Sequence, residues 1–184
     1  MLSGAEHLEH LHNQMAEIMR VNPQLHLATV SPTGWPHAST VWFAPDEKME
    51  QLFWLSSPNR VHSRHIAEAS RRNQRSRGKG VPVAGSMSTE QQTSKPVAGL
   101  AFEGRADRVT DTSEVKEALG ILVANHMIFI PGEAEGYLQA GGKSGLPHQV
   151  YKATIDHWTD FDNRPPRQPE EHKIKINPDG YLLA

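Results

Sequence analysis

At Leu25 the chain changes period. Before it, Leu8, Leu11, Met15 and Ile18 recur at helical spacing; after it, apolar and polar residues alternate in short runs bounded by turn signals. "LHLATV", the turn "SPTG", "PHASTVWFA", the turn "PDEKM" and "QLFWLS" read as three strands of an antiparallel meander. "VPVAGSMS" and "VAGLAFEGRADRV" return to strand character further on. In the second, Ala98, Leu100, Phe102 and Ala106 alternate with Glu103, Arg105 and Asp107, as one buried face requires. "QVYKATIDHWTDF" is a last strand with Tyr151, Ala153 and Ile155 on one face. Six strands in hairpin order with a few helices outside predict a mainly β chain, a small six-stranded antiparallel barrel with flanking helices.

The helices have their own signals. Ser3 with Glu6 three residues later forms a capping box, and "NP" at 22 and 23 ends the first helix. His7, His10 and His12 on that helix read as a solvated face rather than metal ligands, because no carboxylate stands at matching spacing. A second helix is expected from Pro58 to about Ser70, with Ser57 as N-cap and Pro58 at the first position. Asp111 and Glu114 open a third, with Val115, Ala118, Leu119, Leu122 and Val123 on one side. "RRNQRSRGKG" and the Gly-rich stretch to Pro147 read as loops. One domain over 1–163 and a polar, Pro-rich tail over 164–184 are expected.

The chain has 184 residues, enough for a core without staples, and no Cys, which removes thiol nucleophiles, disulfides and cysteine metal sites. No apolar run approaches the ~20 residues of a membrane span. The first residues lack the cationic and apolar segments of a signal peptide, so a cytoplasmic protein with no membrane partner is expected. A net charge of -2 argues against a nucleic-acid partner. The cations are unevenly placed, however. Arg60, Arg64, Arg71, Arg72, Arg75, Arg77 and Lys79 face the single acid Glu68 between Asn59 and Gly80, so an anion nearby is expected. No aromatic residues interleave with them as a platform for single-stranded nucleic acid requires.

The stretch "LFWLSSPNRVHSRHIAE" runs from a strand directly into a helix start, where unpaired N–H groups and partial positive charge suit a phosphate. The dipole contributes only ~0.3–1 kcal/mol, whereas each charge-assisted hydrogen bond is worth ~1.5–3 kcal/mol. Arg60 therefore dominates such a site, with Ser56 and Ser57 donating hydroxyls and His62 adding a donor whose charge depends on pH. A capped helix with a solvated cationic face is the alternative.

The order of these elements resembles the FMN-binding split-barrel family related to pyridoxamine 5'-phosphate oxidase. The resemblance runs from "LHLATVSPTGWPHASTVWF" through "LFWLSSPNRVHSRHI" and "VAGSMSTEQQTSKPVAGLAFEGRADRV" to "VYKATIDHWTDFDN". It implies a split β-barrel, a homodimer and FMN in a groove between subunits. It places Ser39, Thr40, Val41 and Trp42 beside the flavin ring, partly through backbone atoms. It assigns the phosphate to Leu55, Ser56, Ser57, Arg60 and His62, and a flavin contact to Gln91 or Gln92.

The activity it implies is that of a flavin-dependent oxidoreductase acting on an unidentified small molecule. Two departures bear on the substrate. Val61 stands where members commonly carry a Lys after the phosphate Arg. The segment "NRPPRQPEEHKIKINPDGYLLA" does not reproduce the oxidase's Arg-rich carboxyl-terminal segment, which argues against pyridoxamine phosphate. The spacing of the sequence alone identifies no catalytic partner for His37, His126 or His148, and it offers no Ser-His-Asp set and no metal constellation. No catalytic residue is assigned. A non-enzymatic module binding flavin or haem is the alternative.

Overall fold

The computed structural model describes residues 3–73, 80–88, 98–125, 148–162, 171–176 and 182–183. In chain order the elements are α1 (Gly4–Val21), β1 (Gln24–Val30), β2 (Pro36–Trp42), β3 (Ala44–Pro45), β4 (Gln51–Ser56), α2 (Val61–Asn73), β5 (Val81–Ser88), β6 (Ala98–Arg108), α3 (Thr112–Ala124), β7 (Gln149–Asp162), β8 (Glu171–Ile176) and β9 (Leu182–Leu183). The strands form one curled antiparallel sheet in the order β2-β1-β5-β6-β7-β4-β3, with β8 beside β7 and β9 beside β8.

The six expected strands are all present, and the sheet is larger than six. Two-residue β3 splits off from the end of β2, and β8 and β9 arise in the segment read as a tail. β8 pairs with the far half of β7, from His157↔Lys175 to Phe161↔Glu171. "HKIKI" carries the alternation that such a strand needs.

Alternation places the core. Leu25, Leu27, Val41, Leu52, Trp54, Val83, Leu100, Phe102 and Ala153 fill the concave side, joined by Leu11, Met15 and Ile18 of α1 and Ile66 of α2. A second cluster lies on the opposite side, where Val115, Ala118, Leu119 and Leu122 of α3 cover Phe53 and Val150. Val123, expected on that apolar side, is exposed. Burying each such side chain contributes about 1.5–3 kcal/mol.

A bulge sets the register of the longest pair. β6 and β7 pair as Glu103↔His157 and then Gly104↔Ile155, so Asp156 has no opposite number. Core-facing positions on β7 therefore change from Tyr151, Ala153 and Ile155 to Trp158 and Asp160. Gly104 sits at the crossover, where a Cβ would lie 2.3 Å from the Thr154 carbonyl oxygen.

Candidate functional site

The second helix starts later than its sequence suggests. Ser57 to Arg60 make a turn in which the Arg60 N–H donates to the Ser57 carbonyl at 3.1 Å, and α2 begins at Val61. The Ser57 hydroxyl caps this turn, accepting from the Asn59 N–H at 3.4 Å. Pro58 thus serves the turn, where its fixed φ is equally welcome, and not the helix. Arg60 becomes the residue whose carbonyl accepts the first helical bond, from Arg64 N–H at 3.0 Å. Its exposed side chain stands at the corner between β4 and α2.

The two ends of the curled sheet approach each other here. β2 runs beside β4, yet among the described residues no hydrogen-bonded ladder joins them. His62 closes part of that seam. Its Nε2 lies 2.7 Å from Ser56 Oγ at the end of β4, and its Nδ1 lies 3.0 Å from Ser39 Oγ on β2. Ser63 adds a bond by donating to Ser56 Oγ at 3.3 Å. The ring is 5 % exposed. Burial is the first cause, and the positive potential of His37, Arg60 and His65 the second, that push the His62 pKa down to about 4. At neutral pH the ring is uncharged, so it donates to one serine and accepts from the other.

The same stripe of α2 holds the β1–β2 hairpin at two further points. His65 Nδ1 lies 3.1 Å from Thr29 Oγ1 on β1, and Arg72 Nη1 donates to the Pro32 carbonyl at 3.3 Å in the hairpin turn. Residues 62, 65 and 72 repeat at helical spacing, so one face meets the hairpin along its length. The ring of His37 stands edge-on to that of His65, with centroids 5.9 Å apart. Burial, then His37, lowers the His65 pKa as well.

The expected site residues are therefore divided. Ser39, Ser56 and His62 meet directly, with Ser57 and Arg60 at the adjoining corner. Val41 is part of the core, so only its backbone is open to a ligand. Thr40 and Trp42 project from the other face of β2, where Thr40 Oγ1 lies 3.2 Å from His26 Nδ1 and Trp42 is 43 % exposed. Leu55 packs against the α3 cluster, away from Ser56. Gln91, Gln92 and His126 lie outside the described residues, as do Arg75, Arg77 and Lys79.

Sequence reasoning treated His62 as a pH-dependent donor to phosphate. In the structure both of its nitrogens are engaged by serines. Its partner Ser39 lies 23 residues away, so the pairing could be found only by seeing that β2 and β4 close a seam. His10 was likewise read as solvated. It packs 3.4 Å from the buried carboxylate of Asp160 and 2.9 Å from Gln14 Nε2. Among the described residues, no group of three or more His, Asp or Glu side chains is arranged to hold a metal ion. No helix among them is long and apolar enough to cross a membrane.

No family model matches the chain, and no curated protein matches it. Solved structures do share its fold. PhzG from Burkholderia lata 383, in complex with tetrahydrophenazine-1-carboxylic acid, is similar with a TM-score of 0.57 at 12 % identity, over 97 % of this chain and 91 % of that one. A Clostridium acetobutylicum protein of the pyridoxinephosphate oxidase family, related to general stress protein 26 of B. subtilis, gives 0.54 at 11 % identity, over 95 % and 97 %. HutZ, the haem storage protein of Vibrio cholerae, gives 0.50 at 22 % identity, over 80 % and 89 %. The resemblance read from the sequence is borne out in the fold: this chain is a split barrel of the type those proteins share.

Proposed function

We propose that the chain binds FMN along β2 and at the β4–α2 corner, as a homodimer, and acts as a flavin-dependent oxidoreductase on an unidentified small molecule. The observation that carries this reading is the convergence of Ser39 and Ser56 on His62, with the Arg60 guanidinium at the same corner. The donor set fits a phosphate monoester. Arg60 is exposed and makes no ion pair among the described residues, so its two parallel N–H groups are available to one phosphate. Ser57 presents a hydroxyl beside it, and neutral His62 orients the two other hydroxyls without adding charge.

β2 suits the remainder of a flavin. As the end strand of the sheet order it has one edge of backbone N–H and C=O groups outside the β1 ladder, with exposed Thr40 and Trp42 on its outer face. FMN, when bound, supplies the redox chemistry, while the chain binds and orients it. Trp35 at 75 %, Val30 at 53 % and Trp42 at 43 % exposure give this hairpin the apolar surface for a second copy to cover. FMN rather than FAD is expected, because Arg60 at this corner suits a single phosphate and the sequence has no Gly-x-Gly-x-x-Gly turn to hold a pyrophosphate.

The test is the absorption spectrum of the purified protein, followed by chromatography of the flavin released on denaturation. Flavin bands and free FMN support the reading; FAD as the main species, or no visible absorbance after incubation with FMN, overturns it. Sedimentation at micromolar concentration checks the dimer. A haem-binding module is the second reading, and the paired imidazoles of His37 and His65 are the observation in its favour. A Soret band selects it.

A further inference from the structure

The flank of α2 turned away from the seam borders a groove of about 670 Å³, a volume suited to a small molecule. Arg64 and Arg71 reach it from the helix and Arg108 from the end of β6. Seven residues separate the first two, which puts them two turns apart, about 10 Å along the helix axis. All three are exposed, and among the described residues Arg64 and Arg71 make no ion pair. Arg108 Nη1 has one long side-chain bond, 3.4 Å to Gln149 Oε1.

The carboxylates of this groove are Asp107 and Glu68, and among the described residues neither forms an ion pair with Arg64, Arg71 or Arg108. Asp107 Oδ1 accepts from Ser70 Oγ at 3.1 Å and from the Arg108 backbone N–H at 3.0 Å. Glu68 also acts on His65, its neighbour one turn back on the helix. Neutral donors complete the lining. Tyr151 donates its hydroxyl to Gln149 Oε1 at 3.4 Å, beside Ser63, and burial raises its pKa so that it stays a phenol.

We propose that this groove is a second ligand site, which holds a compact polyanion of the diphosphate kind between Arg64 and Arg71 on α2 and Arg108 on β6. Guanidiniums on opposite walls, spaced by two helical turns, suit a ligand with more than one negative group better than a single chloride-sized ion. The site goes beyond the flavin reading, because its three cations are none of the residues assigned to FMN.

The test is calorimetric titration of inorganic pyrophosphate into the full chain at constant ionic strength. Arg60→Ala, which removes the phosphate position assigned to FMN, should keep the pyrophosphate binding of the groove. The double variant Arg64→Ala/Arg71→Ala and the single variant Arg108→Ala should each weaken binding by at least about tenfold, the worth of one charge-assisted bond. Arg20→Ala, on α1, should change nothing. Absence of binding at millimolar pyrophosphate overturns the proposal. So does an equal loss in Arg20→Ala, which would show diffuse charge attraction. Loss confined to Arg60→Ala overturns it too, by placing the anion at the helix start, and leaves the flavin reading standing.

Discussion

The two flanks of α2 handle polar chemistry in opposite ways. Toward the β1–β2 hairpin the helix turns imidazoles whose nitrogens are used internally, His62 by Ser39 and Ser56, His65 by Thr29. Toward β6 and β7 it turns arginines over an open groove, and among the described residues Arg64 and Arg71 make no ion pair. Burial accounts for the difference. A His can shed its charge and enter the seam as a neutral two-sided hydrogen-bonding group, whereas an Arg stays charged at any accessible pH and must remain wet. One flank therefore holds the protein together, and the other is free to hold something else. Arg60 sits at the boundary, on the seam side in space but with the exposed character of the groove arginines.

Arg60 gives the largest expected effect. Arg60→Ala should weaken FMN roughly 30- to 1000-fold, about 2–4 kcal/mol or one to two charge-assisted bonds, and leave riboflavin binding unchanged. Arg71→Ala, in the last turns of α2, should change FMN affinity by less than about threefold. Fluorescence titration of apo-protein with both ligands measures each. If Arg71→Ala loses FMN as badly as Arg60→Ala, the division between flanks is wrong. His62→Ala comes next, and its effect is on stability. Losing a buried ring and two hydrogen bonds should lower the unfolding free energy by about 2–3 kcal/mol, seen as a lower urea midpoint.

A slightly smaller effect should follow from pH. The folded His62 pKa of about 4 lies below the ordinary value of 6.5, so the unfolded chain binds the extra proton between those limits. The stabilisation is complete above about pH 6.5 and is lost as pH falls toward 4. Its full size should be on the order of 2 kcal/mol after allowance for solvent screening. His65 shifts in the same direction, so the difference between wild type and His62→Gln isolates His62. Urea midpoints measured from pH 7.5 to 4.5 should converge for the two proteins as pH falls. Parallel lines would show that the seam does not depend on a neutral ring.

Most of the sheet was legible because a half-buried strand writes period two into the chain. "VPVAGSMS" coincides with β5, and "QVYKATIDHWTDF" falls one residue short of β7. What failed to show was whatever depends on a distant partner. Nothing near Asp156 announces a bulge, which coincides with the close approach of Gly104 to Thr154 on the neighbouring strand. His10 looks solvated until β7 brings Asp160 under it. Ser57-Pro58-Asn59 satisfies both a helix start and a turn, and the sequence alone does not separate them. In the candidate site Ser56, Ser57 and Arg60 were readable from a strand meeting a helix, but the seam that gives Ser39 and His62 their roles exists only once the sheet has curled.

The smallest expected effect is the sharpest test of the contrast. Arg64→Ala/Arg71→Ala removes two cations from α2, and a helix surface held by those side chains would suffer from the change. Here the helix is anchored by Ile66 in the core, by the histidines at the seam and by Ser70 on Asp107, none of which the double variant touches. Alanine also has a helix propensity at least as good as arginine's. The unfolding free energy should therefore move by no more than about 0.5 kcal/mol, within the usual range for exposed positions. Urea unfolding at pH 7 checks this, beside His62→Ala under the same conditions. A drop comparable to that of His62→Ala would mean that both flanks bind the helix to the sheet. In that case the arginines are structural, and the open groove loses its claim to have cations to spare for a ligand.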